Sequence, residues 1–227
     1  DSPHRRIKVM TPASFWPLLA GIASQEQAER MAHHAENASE LGGIVPFPSV
    51  ARNSPYFEPD GEYWRGGVWL PTAYMAIKAL ERYGFCKLAN RLAEQIVMHQ
   101  FRTWKEFEPH TIWEAYSPTR PAPSSGKYNS TVPHAKPDFC GWSALGPVNL
   151  LIENLLGIRA DGVGHTVRWQ LHQTCRHGIR DLQFGGISAS LLYDGEKTVV
   201  VETSAPFILE INSRRYAVGA GTNRIRL

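Results

Sequence analysis

The tightest constraint on this chain is a change in its hydrophobic period. Up to about residue 157 the apolar residues recur at helical spacing, and beyond about residue 163 they alternate. Ser24-Gln25-Glu26-Gln27 is a capping box that opens a helix carrying Ala28, Met31, Ala32 and Ala35, and Leu41-Gly42-Gly43 reads as its stop. A second helix carries Val68, Trp69, Ala73, Met75, Ala76, Ala79, Leu80 and Tyr83, with Gly84 ending it. Only a short turn separates it from a third, marked by Leu88, Leu92, Ile96 and Val97. A fourth is predicted from Trp142 to Leu156, with Asp138 as its N-cap and Leu145, Val148, Leu151, Ile152 and Leu155 as its apolar stripe. Between these helices lie long loops, 44–66 and 105–138, rich in Pro, Gly and aromatic residues. Short turns make helical neighbours antiparallel, so such hairpins present their long loops on one face.

The last third follows other rules. Thr166–His172 and Ile187–Tyr193 alternate, Asp194-Gly195 is a hairpin signal, and Thr198–Val201 is a β-branched run. Phe207–Ile211, a turn at Asn212-Ser213 and Arg215–Val218 continue the pattern. The expected architecture is therefore mostly α with a β appendage: helical hairpins over residues 1–158, then a small antiparallel, sandwich-like domain over 163–227 with a supporting role.

Composition narrows the function by exclusion. A net charge of +3 with no Lys/Arg run gives no electrostatic footprint for nucleic acid. No apolar run reaches the roughly 18 residues a membrane span needs, so the chain reads as soluble, its compartment open. Three widely spaced cysteines, Cys86, Cys140 and Cys175, form neither a disulfide framework nor a zinc spacing and read as small buried residues. His33-His34 lie on adjacent helix faces and cannot make an i,i+4 metal pair. No metal or cofactor is expected.

The seven tryptophans are the positive clue, because several fall in polar loops rather than core patterns: Tyr63-Trp64-Arg65-Gly66-Gly67, Trp113-Glu114-Ala115-Tyr116 and Phe139-Cys140-Gly141-Trp142. Rings beside polar groups suit the apolar faces and hydroxyl rims of sugars. Breaking a glycosidic bond takes two carboxyl groups, and Glu114, flanked by rings, is the best candidate. Asp60, Glu62 and Arg65 surround the other aromatic segment, where Arg65 can hold a carboxylate or donate to hydroxyls.

These segments carry a family resemblance. Tyr63–Trp69 resembles the YWRG-x-[VI]-W stretch of glycoside hydrolase family 63, and Ile112–Thr119 is similar to the E-x-Y-x-P-x-T stretch that holds its general base. Trehalases have a comparable element. Phe139–Ala144 resembles the family's F-G-W-[ST] entry into its final barrel helix, and Gly42–Pro46 its GG-[IL]-P turn. Four motifs in order, over roughly residues 8–157, imply an (α/α)6 barrel and hydrolysis of an α-linked glucoside-like sugar with inversion. They imply Glu114 as general base, with Trp64, Arg65, Trp69, Trp113, Tyr116 and Trp142 lining the sugar subsites. Arg120 replaces the glycine usual after P-x-T, in a loop unusually rich in Pro and Ser. The family's general acid, an upstream Asp, has no counterpart, and four or five helices stand where a barrel needs about twelve. A chain opening Asp1-Ser2-Pro3-His4-Arg5-Arg6 with no initiating Met is accordingly expected to be the C-terminal half of a barrel that docks on the remainder. The alternative is a non-catalytic carbohydrate-binding protein with a degenerate cleft. A lyase or epimerase would need a histidine over the sugar ring, and His110 alone lies near Glu114.

Overall fold

The computed structural model describes residues 8–227, so the Asp1–Arg6 opening lies outside the described residues. The chain divides into two compact units, Asp1–Leu150 and Leu151–Leu227.

The first unit is helical. Thr11 precedes a 3-10 turn, Pro12–Phe15, that runs into α1, Trp16–Ala20, which ends at Gly21 in the left-handed region. This short element escaped the sequence reading because so few residues cannot display a period. Its marks are a proline in the first turn and a glycine just past the end. In α2, Gln25–Glu36, both capping-box bonds form: the Gln27 amide donates to Ser24 Oγ at 3.2 Å, and the Ser24 amide donates to Gln27 Oε1 at 2.8 Å. Its buried residues are Ala28, Ala32 and Ala35.

Helix α3, Leu70–Arg82, starts two residues later than its apolar pattern, with a proline in its first turn and Trp69 extended at the N-cap. Val68 instead lies in an extended segment that bridges Pro48 and Tyr116. The following turn, with Gly84 at φ 85°, leads into α4, Cys86–Glu106. Leu70, Ile77 and Leu80 of α3 are fully buried, as are Leu92 and Ile96 of α4 to within 1%. Each such side chain contributes about 1.5–3 kcal/mol. Further along, α4 buries His99, Gln100 and Thr103.

The fourth helix coils differently than its stripe implies. A 3-10 turn at Trp142–Leu145 widens into a π-helix, Gly146–Leu155. Pro147 explains the change, since it has no N–H to return to the Ser143 carbonyl and its ring crowds that turn. The Gln100 side chain donates to this carbonyl from Nε2 at 3.2 Å. Asp138 is not the N-cap. Gly141 takes that place, and Asp138 accepts from Thr111 Oγ1 at 2.6 Å.

The second unit holds two four-stranded sheets. Its strands are β1 (Ile158–Asp161), β2 (Thr166–Trp169), β3 (His177–Phe184), β4 (Ile187–Tyr193), β5 (Thr198–Thr203), β6 (Phe207–Ile211), β7 (Arg214–Val218) and β8 (Gly221–Arg226). One sheet runs β1-β2-β6-β7 and the other β3-β4-β5-β8. All pairs are antiparallel except β2 with β6. One buried cluster takes Val167, Trp169 and Leu209 from the first sheet and Leu191, Val199 and Val201 from the second. Alternation in β4 is strict, every second residue from Ile187 to Tyr193 being buried.

The cysteine expectation is corrected: Cys86, Cys140 and Cys175 are all free and exposed. Each lies on a solvent-facing position of a helix start or loop, where local packing overrides the general preference of cysteine for burial. Among the described residues no helix is long and apolar enough to cross a membrane.

Candidate active site

Glu114 is fixed by its backbone before its side chain is considered. Tyr116 and Val68 exchange a pair of backbone bonds at 2.8 and 3.1 Å. One residue earlier, the Ala115 carbonyl accepts from the Ser124 amide at 3.0 Å, and the Glu114 amide donates to the Lys136 carbonyl at 2.9 Å. The Phe139 amide donates to the Ile112 carbonyl at 2.8 Å, and Ser143 Oγ donates to the Glu114 carbonyl at 3.1 Å. Distant stretches of chain thus clamp Ile112–Tyr116 on both edges. Ala115 and Ala135, fully and nearly fully buried, pack with Trp69 beneath this clamp.

The Glu114 side chain, half-buried, meets Tyr63, whose hydroxyl donates to Oε1 at 3.2 Å. Tyr63 sits in a tight turn, with Glu62 at φ 26° and Tyr63 at φ 61°. The turn is held by the Glu62 amide donating to Ser125 Oγ, the Tyr63 amide donating to the Ser125 carbonyl, and Trp69 Nε1 donating to the Tyr63 carbonyl at 3.1 Å. Gly67 allows it: a Cβ there would stand 2.4 Å from the Tyr63 carbonyl oxygen. Burial pushes the Tyr63 phenol up, and the charge of Glu114 and the hydrogen bond to it push the same way.

Around this pair lies an aromatic wall. Trp64 stacks on Trp69 with centroids 4.1 Å apart and planes 4° off parallel. Tyr63 meets Trp69 edge-on at 4.6 Å, and Trp142 meets it at 5.9 Å. Trp69 is 1% exposed, whereas Trp64 is 52% and Trp142 44% exposed. The wall therefore has a buried keystone and two rings open to solvent.

The expected subsite residues divide accordingly. Trp64 and Trp142 stand in the open on this wall, and Trp69 backs them. Trp113 and Tyr116 are buried: Trp113 packs edge-on against Phe107, and the Tyr116 hydroxyl accepts from the Trp113 amide at 3.1 Å. Arg65 is engaged by Glu58, at 2.9 Å, and by Glu62. His110 accompanies Trp104 and Glu108, with no contact to Glu114. Two participants had no signal in spacing. Tyr63 reaches Glu114 across 51 residues. Lys127, in the loop that departs from the family pattern, lays its ammonium 4.7 Å from the Tyr63 ring centroid. Behind the clamp His99 is 4% exposed and faces Tyr116 edge-on. Burial lowers its pKa to about 4, with a backbone hydrogen bond to Ser117 opposing and the Arg102 charge assisting. Among the described residues no three His, Cys, Asp or Glu side chains are placed to hold a metal.

Glu114 thus stands on a clamped segment beside two indoles that are open to solvent. The family model for the mannosylglycerate hydrolase MGH1-like glycoside hydrolase domain matches residues 2–131, and the chain belongs to that glycoside hydrolase family. An uncharacterized protein of Borreliella burgdorferi is 28% identical over 205 residues, covering 88% of this chain and 41% of that one. Mannosylglycerate hydrolase from Thermus thermophilus is 39% identical over 102 residues, covering 44% of this chain and 24% of that one. A crystal structure of family 63 mannosylglycerate hydrolase, also from Thermus thermophilus and in complex with Tris and D-glycerate, aligns at 32% identity with a TM-score of 0.48. That alignment covers 61% of this chain and 29% of the other. The chain thus spans less than half the length of these relatives.

Proposed function

We propose that this chain carries the general-base side of an inverting glycosidase acting on an α-glycoside with an anionic aglycone, of which mannosylglycerate is the model. The observation that carries this reading is Glu114, clamped on both backbone edges and half-buried beside an aromatic wall that opens the rings of Trp64 and Trp142 to solvent. In the reaction, Glu114 takes a proton from a water, whose oxygen attacks the anomeric carbon. The bond to the leaving oxygen breaks, and that oxygen is protonated by a carboxylic acid elsewhere in the full-length protein. An inverting pair stands roughly 6.5–9.5 Å apart to admit the water.

Trp64 and Trp142 are the stacking surfaces for the sugar. Trp69, Trp113 and Tyr116 shape the subsites from beneath, and Arg65 holds the turn that carries Tyr63 and Trp64. Lys127 supports an anionic aglycone: its ammonium reaches the edge of the site and has no ion-pair partner among the described residues. Residues 1–158 act as the C-terminal half of an (α/α)6 barrel completed by an upstream segment, with 163–227 as a structural β-domain.

The test uses full-length protein with α-mannosylglycerate and neutral α-glucosides, following the released anomer by NMR. The reading requires the inverted anomer from wild type, and Glu114→Gln losing turnover while still binding sugar. Normal turnover by Glu114→Gln removes the base assignment. Sugar binding with no turnover in wild type points to a binding protein instead.

A further inference from the structure

We propose that Tyr63 is the positioning residue for Glu114: its hydroxyl occupies one carboxylate oxygen and so presents the other to the attacking water. The inference rests on Glu114 being the base.

Three observations carry it. First, Tyr63 Oη donates to Glu114 Oε1 at 3.2 Å, and among the described residues neither side chain makes another hydrogen bond. With Oε1 engaged, proton transfer from water falls to Oε2. Second, the ring cannot swing away. It is wedged edge-on against Trp69 on one side, at 4.6 Å, with the Lys127 ammonium over its face. Its carbonyl is tied to Trp69 Nε1, and its amide to the Ser124–Ser125 segment. Third, the backbone there is of a kind that side chains rarely adopt. Glu62 and Tyr63 are consecutive residues at positive φ, in a turn that only a glycine at Gly67 can lie beneath. Strained, over-determined backbone of this sort persists where the surroundings enforce it. Here it brings one phenol to one carboxylate that its neighbours in sequence could not reach.

The clamp places the Glu114 Cα, but it leaves the carboxylate free to rotate about its side-chain torsions. A general base works only when the accepting oxygen lies within hydrogen-bond reach of the water. Tyr63 supplies that missing constraint. The raised phenol agrees with the same contact, since ionising it would bring a second negative charge against the carboxylate.

The experiment compares wild type, Tyr63→Phe and Glu114→Gln in full-length protein. Tyr63→Phe keeps the ring and removes only the donor. It is expected to lower kcat about 10- to 100-fold, the cost of a loosely placed reacting group, with KM changed less than about threefold. Separately, tyrosine ring resonances are titrated by NMR, with Tyr63 assigned from the Tyr63→Phe spectrum. In Glu114→Gln the Tyr63 phenol is expected to titrate at lower pH than in wild type, a readout independent of activity. A kcat within about threefold of wild type in Tyr63→Phe overturns the proposal, as does a Tyr63 titration unmoved in Glu114→Gln. Full activity in Glu114→Gln overturns the base assignment itself, and is distinguishable because it appears whatever Tyr63→Phe does.

Discussion

Replacing His99 tests how deeply the polar seam behind the clamp is sealed. His99 is 4% exposed, and burial holds its pKa at about 4 against an ordinary 6.5. The folded chain therefore resists protonating a group that the unfolded chain protonates freely below 6.5. Stability from this residue is present above pH 6.5 and is lost as pH falls towards 4, because the unfolded state binds the extra proton. At ~1.36 kcal/mol per unit of pKa, the whole loss is about 3 kcal/mol, a large share of the ~5–15 kcal/mol typical of a domain. Burial sets the sign, and the groups facing the ring do not reverse it. The Tyr116 ring offers no charge, Arg102 repels the imidazolium, and only the Ser117 backbone favours it. The assay is urea unfolding of wild type and His99→Gln at pH 7.5, 6.5, 5.5 and 4.5. His134, which burial also lowers, titrates in both proteins and cancels in the comparison. Between pH 7.5 and 4.5, wild type should lose about 2.5 kcal/mol more than the variant, most of the whole effect. Parallel losses in the two proteins would refute the reasoning.

Trp69→Ala should destabilise the fold by about 3–5 kcal/mol, as buried aromatic truncations do, and should abolish the exciton couplet that the parallel Trp64–Trp69 pair gives in circular dichroism. Gly67→Ala places a methyl 2.4 Å from the Tyr63 carbonyl oxygen and 2.9 Å from Ser124 Oγ. The Tyr63 turn must then shift, and kcat measured on the full-length protein should fall at least about tenfold. Lys127→Met should lower kcat/KM for a glycerate-bearing α-mannoside about fivefold, on the ~1 kcal/mol scale of a partly screened charge pair, while a neutral α-mannoside stays within about twofold.

What the sequence disclosed follows from what each element needed. α2 carried its capping box and α3 its stripe, and β4 and β6 alternated cleanly because each has one face on the core. β1 buries only Ile158, β3 only Phe184 and β8 no residue, so none of the three displays an alternating face. β3 is further broken by a register shift between Ile179 and Leu182, with Asp181 at φ 53°, so its apolar residues never line up. In the candidate site, Glu114 was singled out because aromatic residues flank it in sequence. The division among those rings was not. Trp64 and Trp69 both read as subsite rings, and only the stack shows one covering the other. Tyr63 and Lys127 join the Glu114 site through contacts that spacing cannot encode.

The loop that departs from the family pattern is closed at its base rather than at its tip. Ser125 bridges His134, and the Gly126 amide donates to the Pro133 carbonyl at 3.0 Å. The Ala135 amide donates to the Ser124 carbonyl at 2.8 Å. Residues 127–132 beyond this closure are all exposed. Residues can therefore be added, lost or exchanged between 128 and 132 without disturbing the segment that holds Glu114. The tip of the loop is mechanically separate from the backbone that fixes Glu114, so its length and composition can drift while that backbone stays put.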